Sequence, residues 1–218
     1  MMFSKLLRRK TYDLPVQRKQ NPARDKIVAF GVDWLMEKQI VEEKIKNDFG
    51  CEDLIVEKEP REEINGFFSV NENLQSYEYT YISKDGKPLG KYEGFSVKSI
   101  VARYISNNHG TTNFLYRVDY YFENPFLRNY ERLKELLKKK YGNGQEKGNQ
   151  IRFSDSNHNK LILSYSASTP VKDLVPNSDL VIPALFYMDC SCEEISSLVY
   201  HEGIAYSQRI KAEKNKPE

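Results

Sequence analysis

From Asp25 onward the apolar residues Ile27, Phe30, Trp34, Val41, Ile45 and Phe49 recur at spacings of three, four and seven, and Gly50 follows them. That spacing keeps one helix face apolar, and a glycine suits the residue after the last turn. A first helix is therefore expected from about Asp25 to Phe49, with Trp34 as a core anchor and Asp33, Glu37, Lys38, Glu42 and Lys44 on its wet side. A period of two then takes over. Tyr77, Tyr79 and Tyr81 alternate with Glu78 and Thr80, and Lys84-Asp85-Gly86-Lys87-Pro88 supplies a turn. Strands are expected over Phe95–Ile105 and Phe114–Phe122; in the second, Phe114, Tyr116, Val118, Tyr120 and Phe122 would share one face, opposite Leu115, Arg117, Asp119 and Tyr121.

Asn124-Pro125 then reads as an N-cap followed by proline at the first helical position. Phe126, Leu127, Tyr130, Leu133, Leu137 and Tyr141 form the stripe of a second helix that stops at Gly142. Its last-turn lysines, Lys138 to Lys140, suit the negative end of the helix dipole without any polyanion. A hairpin is expected over residues 149–154 and 160–167, then a strand over Leu180–Asp189, then a third helix opened by Ser191 and Glu194 as a capping box. The resulting class is α+β: an antiparallel β-sheet, three main helices and a basic N-terminal arm.

Charge sharpens the division of the chain. Eight basic residues against two acidic ones give residues 1–26 a charge of +6, so the rest carries −4 of a net +2. Residues 1–24, with Pro15, Pro22 and no sustained period, read as a flexible basic arm, and residues 25–218 as one α+β domain. No apolar run approaches the roughly 20 residues that span a bilayer. The start MMFSKLLRRK has no secretory h-region, although the lack of acids in residues 1–12 keeps a mitochondrial presequence as a minor alternative. Three cysteines, Cys51, Cys190 and Cys192, and no Asn-x-Ser/Thr acceptor point to reduced thiols and a cytoplasmic location.

Candidate chemistry is sparse. Cys190 and Cys192 in DCSCEE lack the second ligand pair a zinc site needs, so they read as structural, and no metal or cofactor is expected. Asp155-Ser156-Asn157-His158-Asn159 resembles the start of a calcium loop. It has Lys160 where the glycine should stand and Ser166 where the closing glutamate should, so it reads as a turn. His109 and His158, both in expected hairpin loops, are the weak catalytic candidates. Nucleotide-binding glycine loops, a nucleophile elbow and His-Glu-x-x-His are missing.

The leading functional expectation is a non-enzymatic cytoplasmic binding or assembly protein. It would contact a macromolecular partner, a protein first of all, through a sheet surface and the arm residues Lys5, Arg8, Arg9, Lys10, Arg18 and Lys19. Nucleic-acid binding through the same cations is the alternative, peripheral contact with an anionic membrane is another use of the arm, and a hydrolase or transferase with a His-containing site is the third class.

Overall fold

The computed structural model describes residues 27–29, 34–49, 54–58, 74–107, 114–123, 127–167, 184–192, 195–197, 200–201, 208 and 212. The basic arm, Cys51 and His109 lie outside these residues. In chain order the elements are α1 (Lys38–Phe49), β1 (Leu54–Lys58), β2 (Leu74–Ser83), β3 (Gly90–Tyr92), β4 (Phe95–Asn107), β5 (Phe114–Phe122), α2 (Leu127–Tyr141), β6 (Gln145–Lys147), β7 (Gln150–Ser154), β8 (Lys160–Ala167) and β9 (Ala184–Ser191). Residues 195–197, 200–201, 208 and 212 are helical as well.

All nine strands join one antiparallel sheet in the order β1-β2-β4-β5-β9-β8-β7-β6, with β3 paired to β4 beyond the end of β2. The first strands form a meander and β6, β7 and β8 form two hairpins. β9 lies between the two groups, paired to β5 on one side and β8 on the other. The α+β class with an antiparallel sheet therefore holds.

One face of the sheet carries the main core. Tyr81, Ile100, Ala102, Tyr104, Val118, Tyr120, Leu161, Leu163, Met188 and Cys190 meet Val41 and Ile45 of α1 and Leu133 and Leu137 of α2. Each fully buried aliphatic side chain of this kind contributes roughly 1.5–3 kcal/mol by leaving water. Tyr79 and Tyr104 pack edge to face with centroids 5.5 Å apart, so the tyrosine ladder is cross-strand packing. α2 ends where its sequence says it should: Gly142 takes φ 86° and its N–H donates to the Lys138 carbonyl at 2.9 Å.

A smaller cluster sits on the opposite face, built from Leu35, Ile105, Tyr116, Cys192 and Ile195. Trp34 packs against both clusters and its indole N–H donates to the Ile27 carbonyl at 3.0 Å, which makes it the anchor its composition implied.

Two expectations need correction. The first helix does not begin near Asp25: Ile27 and Ala29 are not helical, Leu35 takes φ 68°, and the first turn opens with Val41 N–H on the Glu37 carbonyl at 3.2 Å. Ile27, Leu35 and Met36 instead form an extended-and-turned strap, with Leu35 N–H bonded to the Leu115 carbonyl at 2.8 Å and Leu115 N–H to Met36 at 2.9 Å. Apolar residues at helical spacing serve such a strap equally well, because all they require is a buried side.

The strict alternation along β5 also fails. Arg103 pairs with Arg117 but Tyr104 pairs with Leu115, so Tyr116 is an extra residue. This bulge puts Tyr116 and Phe114 with the second cluster and Leu115 with the main core, reversing the expected faces of the first three residues.

Candidate functional site

The face opposite the main core is where the sheet gathers charge. Cross-strand register places Glu78, Arg103 and Arg117 side by side on β2, β4 and β5, and Asp119 stands two residues beyond Arg117 on the same side. Arg103 lies between two carboxylates: its Nη1 donates to Asp119 Oδ2, and its Nε is 2.6 Å from Glu78 Oε2, off the line of an N–H hydrogen bond. Arg117 Nε donates to the other Asp119 oxygen at 2.8 Å. Asp119 is 3% exposed, Glu78 13%, Arg103 15% and Arg117 36%, so the chain of four charges runs from a dry interior to the solvent.

Burial alone would lower the Arg103 pKa, but the Asp119 and Glu78 charges outweigh it and hold the guanidinium firmly protonated. Two acids and two bases leave the group neutral. Its chemistry is that of a charge clamp: four oppositely charged ends meet in one register, and a one-residue slip would leave each buried without its partner. Arg117 and Asp119 keep the shared face that alternation predicts, and the bulge beside them sets the buried Tyr116 in a hydrogen bond with Ser76 at 3.0 Å.

On the same face, register carries Arg117 through Ser191 to Lys160. A second polar chain lies under α1 on the core side. Lys38 pairs with Glu42, the Tyr81 hydroxyl approaches Glu42 at 3.5 Å, and it shares a hydrogen bond with Tyr104 at 2.9 Å. Burial pushes both phenols well above their ordinary pKa, which makes them hydrogen-bonding groups rather than acids.

His158 is exposed and occupies the β7–β8 turn with φ 61°, a conformation that histidine, like asparagine, tolerates. The strand ends flanking residues 108–113 lie at the same end of the sheet as this turn. The Asp155 carboxylate closes the loop: it accepts from the amides of Asn157 and Asn159 at 2.9 Å each, from Asn159 Nδ2 at 3.0 Å, and from Ile27 N at 3.2 Å. With both oxygens in use it is a turn and an anchor for the strap, not the head of a calcium loop.

Cys190 and Cys192 are buried thiols in different clusters, one on each face of the sheet, and His201 is exposed beside Tyr200. The three are not brought together. Ser191 is still a strand residue, and the helical turn after it runs from Ser196 N–H to the Cys192 carbonyl at 2.9 Å. Among the described residues no group of three or more His, Cys, Asp or Glu side chains is placed to hold a metal ion, and no helix is long and apolar enough to cross a membrane.

Glu78, Arg103, Arg117 and Asp119 are the site residues that sequence reasoning missed as a group. Their signal was present: charged residues two apart in an otherwise apolar strand, matched by opposite charges in the neighbouring strands. No protein-family model, curated protein or solved structure matches the chain.

Proposed function

We propose that this is a non-enzymatic cytoplasmic protein that binds or assembles with a macromolecular partner, a protein first of all, through its basic N-terminal arm and the charged surface of its sheet. The observation that carries this reading is the segregation of charge, +6 in residues 1–26 against −4 in the rest. The strap supports it mechanically. Ile27 is fully buried and tied to Asp155 and Trp34, so any force on the arm is delivered to the body at a fixed point beside the β7–β8 turn.

The test is fluorescence anisotropy with labelled polyglutamate, single-stranded DNA and double-stranded DNA across a salt series. It compares the full chain with a variant in which Lys5, Arg8, Arg9, Lys10, Arg18 and Lys19 are replaced by glutamine. Salt-sensitive binding of polyglutamate that is lost in the variant is the expected result. Log-linear salt dependence with DNA and none with polyglutamate transfers the arm to nucleic acid. Equal binding by both proteins, or none by either at low salt, removes the arm from the reading.

A further inference from the structure

The outer side of α2 carries an open depression of about 370 Å³ lined by Glu131, Arg132, Glu135, Leu136 and Lys139. Leu136 stands within it, 39% exposed, whereas Leu133 and Leu137 on the inner side are fully buried. The acids around Leu136 are already engaged: Glu131 with Lys134 at 2.6 Å and Glu135 with Lys138 at 3.4 Å. The cations are not. Arg132 lies over the Phe95 ring, 5.8 Å from its centroid, and neither it nor Lys139 has an ion pair among the described residues. On the far side of Arg132, Glu93 and Glu123 border a smaller hollow of about 170 Å³, and Glu93 there pairs with Lys140 at 3.1 Å.

The result is one apolar side chain between two cations whose Cα atoms are roughly 10 Å apart, at seven residues and ~1.5 Å of rise each. We propose that this face of α2 docks an acidic peptide segment, which lays an apolar side chain over Leu136 and sets carboxylates against Arg132 and Lys139. Charge complementarity selects the partner. A membrane-binding helix needs a broad apolar face, and here Leu136 stands among charges. A polyphosphate backbone has no apolar side chain to lay over Leu136.

The experiment follows the α2 amide resonances of the isotope-labelled full chain during titration with a terminally blocked peptide of one leucine flanked by glutamates. Saturable shifts confined to α2 are expected. Leu136→Ser and Lys139→Glu, both at exposed positions and each checked for an intact fold by circular dichroism, should each weaken binding by about tenfold. So should replacing the peptide leucine with serine. The proposal is overturned by the absence of saturable α2 shifts, or by shifts given by phosphatidylserine vesicles or DNA but not by the peptide. It is also overturned if binding survives the Leu136→Ser, Lys139→Glu double variant and disappears only when the arm cations are replaced.

Discussion

Arg103 stands between two carboxylates, Glu78 and Asp119. Replacing it with methionine leaves Glu78 and Asp119 facing each other at 13% and 3% exposure, so the loss should be about 3 kcal/mol or more, read as a lower urea midpoint. Converting Glu78, Arg103, Arg117 and Asp119 together to leucine, methionine, methionine and leucine should recover most of that loss, because all four charges of the clamp leave at once. If Arg103→Met costs under about 1 kcal/mol, the clamp is not what fixes this register. Tyr116 makes a gentler probe: Tyr116→Phe strips Ser76 of its buried partner and should cost about 1 kcal/mol in the same assay.

At the scale of elements, α1 and β3 approach closely at Gly90. A Cβ at Gly90 would lie 2.7 Å from the Phe49 carbonyl oxygen and 2.9 Å from its Cα, so the end of the helix sits directly on the strand backbone. Gly90→Ala should lift α1 away and cost roughly 1–3 kcal/mol, with amide exchange rising first in α1. The elements also show what can be read without coordinates. The bounds of β5 were legible, though not the faces of its first three residues, and the end of α2 was legible because Gly142 closed a clean helical period; the Asn124-Pro125 cap lies outside the described residues. β6 was not, since Gln145, Glu146 and Lys147 are all exposed and leave no apolar trace. The bulge at Tyr116 was invisible for a different reason: an apolar residue fits either face, and only the partner strand decides which. The Glu78–Asp119 clamp went unassembled for a third reason: its charges were in view, but the register that sets Glu78, Arg103 and Arg117 side by side is a property of the paired strands.

For the whole molecule, the tyrosine-rich core sets an alkaline limit. Burial, helped by the Glu131 and Glu146 charges, raises Tyr130 from 10.0 to about 12, and burial raises Tyr81, Tyr92, Tyr104 and Tyr116 as well. Below pH 10 both folded and unfolded chains keep these protons, so stability there is unaffected. Above it the unfolded chain ionises first, and stability is lost as pH rises from 10 through about 12. The urea midpoint should be flat from pH 7 to 9 and fall beyond 10, with phenolate absorbance from the buried rings appearing together with unfolding. A midpoint that holds steady through pH 11 would count against a dry tyrosine core. The position of β9 has a consequence of another kind. β9, the last of the described strands, is needed to join β5 to β8, so while the protein is being made on the ribosome the meander and the hairpins each wait with an open flank. The sheet is completed only after residues 184–191 have emerged, and a chain cut short before them is left with two adhesive edges.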